Sequence, residues 1–169
     1  MIKNRRIITT AALTLGLMLT GCSETTVTES AKEEVKEAPG VDSDLLAYST
    51  EMEGYMNDFT ITMTEFSDLN MEASVDPSVM ASSDWMMDIT SVLIDMDKHI
   101  AGIRTVTPPE EMEVSHGYVL KAMDSFEFVV DNYPDSLENP EVMSDCIDAL
   151  NEGGANLDKA IEETSKFTY

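Results

Sequence analysis

Two histidines are the residues of this chain best suited to hold a metal ion or a haem. His99 and His116 stand eight and nine residues from Thr107, on opposite sides of a Thr-Pro-Pro turn, so an antiparallel helical hairpin would place them at nearly the same height. Met96 and Met112 lie on the same two segments, and imidazole with thioether ligands suits copper or haem. A transition-metal site normally needs three or four ligands. We therefore expect both histidines to be structural, with no cofactor bound and His116 the more buried.

Cys146 is the chain's second type of chemical candidate, a lone thiol beside the apolar face of a predicted helix. A cysteine in that setting is more often a small buried hydrophobe than a nucleophile. The sequence contains no C-x-x-C-H, no EF-hand loop, no Gly-rich phosphate loop and no G-x-S-x-G. We therefore expect a protein that is not an enzyme.

The other cysteine, Cys22, closes an N-terminal segment with the layout of an export signal. The chain starts with three cations: Lys3, Arg5 and Arg6. An apolar run over 7–18 follows, and as a helix its twelve residues would rise about 18 Å, short of the roughly 30 Å of a bilayer's hydrocarbon core. This segment therefore predicts a processed signal peptide and not a membrane span.

Residues 1–22 resemble the signal peptide of bacterial lipoproteins, and the Leu-Thr-Gly-Cys sequence at 19–22 resembles their lipobox. The resemblance implies that the Cys22 sulfur receives a diacylglycerol and that cleavage falls between Gly21 and Cys22. Fatty acyl chains of the palmitate type would then anchor the protein at the extracytoplasmic face of the cell membrane, and two chains on one residue give stable anchoring. The resemblance implies no particular activity.

The domain plan that follows is a signal peptide over 1–21, a lipidated Cys and flexible linker over 22–40, and a helical domain over 41–169. The linker is rich in Ser, Thr, Glu and Lys and lacks aromatic residues, so it cannot bury enough apolar surface to order itself. All 33 Asp and Glu follow the signal, against seven of the ten Lys and Arg, so the mature chain carries a net charge of −26. Such a charge repels phosphate backbones and excludes a nucleic-acid partner.

Apolar residues recur with a period of 3.6 in four segments of the domain. The first two helices are predicted at about 43–72 and 83–105, with a short helical turn that starts at Asp76-Pro77 between them. A capping box at 107–110 predicts the start of the third, which Pro134 should end, and Asn139-Pro140 predicts the start of the fourth. In the fourth helix, the Gly-Gly pair at 153–154 predicts a kink or a close helix contact. Its predicted core stripe is formed by Met143, Ile147, Leu150, Gly154, Leu157, Ile161 and Thr164.

These segments predict an all-α fold, an antiparallel up-down four-helix bundle behind a disordered N-terminal tether. Two functions stay open. The first is a membrane-anchored, non-enzymatic lipoprotein that binds an envelope partner. The second is a lipoprotein that binds a ligand or a metal, copper or haem, in the bundle near His99 and His116.

Overall fold

The computed structural model describes residues 43–167, which fold as four α-helices with no strand in that range. The helices are α1 (Ser43–Val75), α2 (Ser83–Thr105), α3 (Glu113–Ser136) and α4 (Pro140–Ser165). Two short 3₁₀ helices, Pro77–Ala81 and Glu110–Met112, lie in the connections. The prediction of an all-α domain is confirmed. The signal segment, Cys22 and the linker lie outside the described residues.

Side-chain caps determine where several of these elements begin. The Asp76 carboxylate accepts a hydrogen bond from the backbone N–H of Ser78 at 3.0 Å and starts the first 3₁₀ helix. The Asn139 side chain accepts from the backbone N–H of Glu141 at 3.0 Å, with Pro140 as the first residue of α4. Both starts were expected from an Asp-Pro or Asn-Pro pair, because proline suits the first helical turn.

The predicted start and end of α3 are both wrong. Thr107 does not cap the helix, and Pro108 is followed by Pro109, which disfavours helical backbone at the preceding residue. The segment 106–109 is therefore extended up to the 3₁₀ turn, and α3 begins only at Glu113. At the other end Pro134 lies inside the last turn, where its missing N–H removes a single helical hydrogen bond, and α3 continues to Ser136.

Contacts between the helices define their relative directions. Trp85 at the start of α2 donates its indole N–H to the Leu69 carbonyl of α1 at 3.2 Å, while Gly102 near the end of α2 lies against the Tyr55 ring. The two helices therefore run in opposite directions. The same holds for α3 and α4, since the Ser115 hydroxyl donates to the Ala160 carbonyl at 2.8 Å and Phe126 lies against Gly153.

Aromatic side chains connect α1 to α3 through the core. The pairs are Tyr48 with His116, Phe59 with Phe126, and Phe66 with Tyr133, at centroid separations of 5.7, 5.1 and 4.9 Å. The residue numbers in each pair differ by 67 or 68, so α1 and α3 run in the same direction. These pairs place in the core apolar residues of α1 and α3 that recur with the 3.6-residue period, as that period predicts.

The buried face of α4 differs from the predicted one. Its buried or half-buried row against α3 consists of small side chains: Cys146, Ala149, Gly153, Asn156 and Ala160. Each lies one position before a member of the predicted stripe, which corresponds to a rotation of about 100°. Small residues let two helix backbones approach closely, and α3 and α4 are the most closely packed helix pair of the described chain. The predicted stripe is consequently displaced toward the side of α4.

Candidate functional site

His116 is a core residue, 4% exposed, and its ring faces Tyr48. The His116 Nδ1 atom lies 3.1 Å from the Tyr48 hydroxyl oxygen, and the ring tautomer decides which of the two donates the hydrogen bond. Burial lowers the pKa of His116 and raises the pKa of Tyr48, so both groups are held in their neutral forms. As expected, His116 is more buried than His99, which is half-buried on α2.

The two histidines are not at the same height. On the antiparallel pair α1 and α2, Tyr55 meets Gly102, so a partner for Tyr48 would lie beyond the end of α2 at Thr105. His99 of α2 lies level with a point on α1 that is seven to ten residues beyond Tyr48, the residue that His116 contacts. The two histidines are therefore separated by roughly 10–15 Å along the helix axes. The symmetric hairpin assumed from sequence is wrong because the extended segment 106–109 staggers α2 against α3.

The ion pairs of Arg104 show the same stagger. Its guanidinium donates to Glu127 at 2.6 Å and to Asp124 at 2.7 Å, both well inside α3 and not near its start. These hydrogen bonds and charges lower the pKa of the Glu127 carboxyl. Arg104 therefore connects the end of α2 to the middle of α3.

Met96 and Met112 do not complete a shared ligand set with the histidines. Met96 is fully buried on α2 three residues before His99, and Met112 is buried in the 3₁₀ turn four residues before His116. The four candidates thus form two separate pairs. Within residues 43–167 no group of three His, Cys, Asp or Glu side chains is placed to hold a metal ion.

Cys146 is a buried free thiol in the row of α4 that packs on α3. Burial and the nearby Asp145 charge raise the pKa of the thiol, while a hydrogen bond with Ser136 opposes them. The thiol therefore stays protonated at neutral pH and acts as a small core side chain, as expected.

The predicted core stripe of α4 is an apolar row that the helix does not bury against α3. Ile147 and Ile161 are 51% and 45% exposed, and Leu150 and Leu157 are half-buried. This row lies about 100° around α4 from the row that packs on α3, and α1 and α4 have almost no close backbone contact. We name this row of α4, together with the half-buried Met56 and Met63 of α1, the α1–α4 seam.

Heights along the α1–α4 seam follow from Phe126, which contacts both Phe59 of α1 and Gly153 of α4. Because α1 and α4 run in opposite directions, Met63 lies level with Leu150, and Met56 lies level with Leu157. All four of these side chains are half-buried at the edge of the core.

Gly154 lies in the middle of the seam, and a Cβ atom added to it would meet no atom within 4 Å. Its neighbour Gly153 is packed closely, since an added Cβ would lie 2.6 Å from the Phe126 ring. The close helix contact expected of the Gly-Gly pair is therefore made by Gly153 alone. Gly154 therefore leaves open space beside the α4 backbone.

The rows of α1 and α4 beside the seam carry acidic side chains, and Lys166, which follows α4, pairs with Glu163 at 2.6 Å. α1 contains no Lys or Arg. The single cation inside α4, Lys159, lies over the Tyr118 ring of α3 at 5.7 Å and so points away from α1. Exposed carboxylates border the stripe at Asp148, Asp158 and Glu162.

Sequence reasoning identified the stripe of α4 but assigned it to the core. The signal that distinguishes a core stripe from a stripe at the side of the helix is the neighbouring row of small residues. Small residues allow the closest helix approach, so that row is the one buried against α3.

No protein-family model, curated protein or solved structure matches this chain. Across residues 43–167, none of the helices combines the length and the apolar character needed to cross a membrane.

Proposed function

We propose that this protein is a membrane-anchored, extracytoplasmic lipoprotein whose non-enzymatic helical domain binds another protein of the cell envelope. The observation that carries the binding role is the half-exposed apolar stripe of α4, bordered by acidic residues. Exposed apolar side chains that share one helix face favour an interaction site over scattered surface residues. The anchor rests on the resemblance of residues 1–22 to lipoprotein signals.

We further propose that the four helices form an up-down-up-down bundle. The opposed directions of α1 and α2, the opposed directions of α3 and α4, and the shared direction of α1 and α3 support this order. In such a bundle α1 and α4 are neighbours, so the seam is its incompletely closed edge.

A non-enzymatic role is supported by how the most reactive side chains are used. His116 is hydrogen-bonded to Tyr48 in the core, and the Cys146 thiol is buried with a raised pKa. Both therefore contribute to packing. Every fully buried side-chain nitrogen and oxygen of residues 43–167 has a hydrogen-bond partner within the protein.

Replacement of the lipidated residue tests the anchor. Cys22→Ala removes the thiol that would accept the diacylglycerol, so we expect unprocessed or released protein, while the wild type partitions into the detergent phase. Cys146→Ala is the matched control and should partition like the wild type, because Cys146 is buried. Equal detergent partitioning of the Cys22 variant would refute the lipoprotein assignment.

Calorimetry tests the alternative of a metal-binding lipoprotein. We expect the mature protein to bind neither copper nor zinc tightly, because His99 and His116 lie about 10–15 Å apart along the helix axes. Submicromolar affinity that disappears when both histidines are replaced would establish a metal site instead.

Capture of a partner tests the binding role itself. The lipidated protein should retain a stoichiometric envelope protein after mild detergent extraction and cross-linking in its native membrane. Absence of any specific cross-linked species under conditions that preserve the fold would contradict the proposed function.

A further inference from the structure

We propose that the α1–α4 seam is the docking surface and that its occupant is a cationic amphipathic helix of the partner protein. This inference rests on the proposed function and names the chemical class of its partner. An amphipathic helix that lays its apolar face into a groove is a common mode of recognition.

The lining of the seam favours a helix as occupant. Met56 and Met63 line the α1 side, while Leu150 and Leu157 lie at matching heights on α4. Methionine side chains are flexible and polarizable, so they adapt to an inserted apolar residue. Met56 and Met63 are seven residues apart on α1, and Leu150 and Leu157 are seven residues apart on α4. An amphipathic helix presents its own apolar residues with the same spacing.

Gly154 provides the place where an inserted side chain can approach the α4 backbone. It lies between Leu150 and Leu157 and has open space where a Cβ would project. Ile147 and Ile161 extend the same apolar row toward both ends of α4. A partner helix placed there would cover all of these residues together.

Charge complementarity selects a cationic partner. The seam is bordered by Asp148, Asp158 and Glu162, and α1 offers no Lys or Arg to attract an acidic partner. Residues 43–167 contain five Lys and Arg against 27 Asp and Glu, a net charge of −22. A second copy of this chain and an anionic lipid surface would both be repelled by such a field, whereas a lysine-rich helix would be attracted.

The test uses the full mature chain, residues 22–169, with Cys22→Ser so that no acyl chain is present. The probe is a fluorescein-labelled 18-residue helix of Leu and Lys, with Leu on one face. We expect saturable binding by fluorescence anisotropy at physiological salt. A peptide with every Leu changed to Ser and a peptide with every Lys changed to Glu should both bind at least tenfold more weakly, because each lacks one of the two features that the seam recognises.

Variants then assign the binding to the seam. Ile147→Ser with Ile161→Ser, and separately Gly154→Trp, should each weaken binding of the Leu/Lys helix about tenfold or more. The matched control is Met87→Ser with Ile94→Ser. These two residues are 68% and 61% exposed on the side of α2 away from its buried residues, so their replacement should leave binding unchanged. Circular dichroism checks that each variant retains its helices.

Several outcomes would overturn the proposal. Equal loss in the α4 and α2 variants, or equal binding of the Leu-to-Ser peptide, would show adhesion by charge alone. A wild-type dimer that the α4 double variant converts to monomer would show that a second copy occupies the seam.

The envelope cross-linking experiment separates this inference from the proposed function. If the α4 variants still capture the partner, the proposed function stands and the seam assignment fails. If the wild type captures no partner while the peptide and variant results are as expected, the proposed function fails and the chemistry assigned to the seam stands.

Discussion

Gly153→Ala is expected to destabilise the domain, while Gly154→Ala is expected to stabilise it. The new Cβ at position 153 would lie 2.6 Å from the Phe126 ring, which is buried and held in place by Phe59. Overpacking of this kind costs about 1–3 kcal/mol and outweighs the gain in helix propensity. At position 154 nothing lies within 4 Å, so only the propensity gain of about 1 kcal/mol remains. Chemical denaturation of both variants measures the difference.

A compensating change identifies the cause of the Gly153 effect. Phe126→Leu shortens the ring that the new Cβ would meet, so Gly153→Ala should cost less in that background than in the wild type. The coupling in this double-mutant cycle should be about 0.5–3 kcal/mol. Equal effects of alanine at the two glycines would mean that α4 does not present Gly153 to α3.

His116→Ala is expected to lower the free energy of unfolding by about 1–3 kcal/mol. The change removes a buried ring and leaves the buried Tyr48 hydroxyl without its partner. His99→Ala is the matched control, and because His99 is half-buried we expect a change of no more than about 0.5 kcal/mol. Equal losses in the two variants would contradict the buried hydrogen bond as the source of stability.

The contribution of His116 should also depend on pH. Burial places the pKa of folded His116 below its unfolded value of about 6.5, so the unfolded chain binds the proton more readily. The stability that His116 confers is therefore complete above about pH 6.5 and is lost as the pH falls through the folded pKa.

The difference in unfolding free energy between the wild type and His116→Asn measures this dependence, since the many carboxylates titrate alike in both proteins. We expect the difference to shrink between pH 7.5 and pH 5.5. A difference that stays constant over that range would show that folding does not lower the pKa of His116.

Local sequence determined the helices and much of their packing. The 3.6-residue period placed α1 and α2, and proline after Asp76 and Asn139 placed the starts of the first 3₁₀ helix and of α4. These features depend on residues within a turn or two of each other, so they can be derived from sequence. The core stripe of α3 was also correct because α3 has one dominant apolar row, which includes Met123 and Phe126.

The tertiary structure decided which row of α4 is buried. This helix has two rows about 100° apart, one of large apolar residues and one of small residues. Apolar content alone favours the large row, but the ring of Phe126 fits only against Gly153, and that contact brings the small row onto α3. Competition between two rows for one neighbour depends on the neighbour's shape, which sequence spacing does not contain.

The heights of the two histidines were likewise decided by tertiary structure. Counting residues from Thr107 assumes a tight, symmetric turn, whereas consecutive prolines keep the segment 106–109 extended and the Arg104 ion pairs hold the end of α2 beside the middle of α3. The residue types of the candidate site were therefore available from sequence. Their separation, and the open seam beside Gly154, arise from how helices distant in sequence pack, because only that packing determines which surfaces remain uncovered.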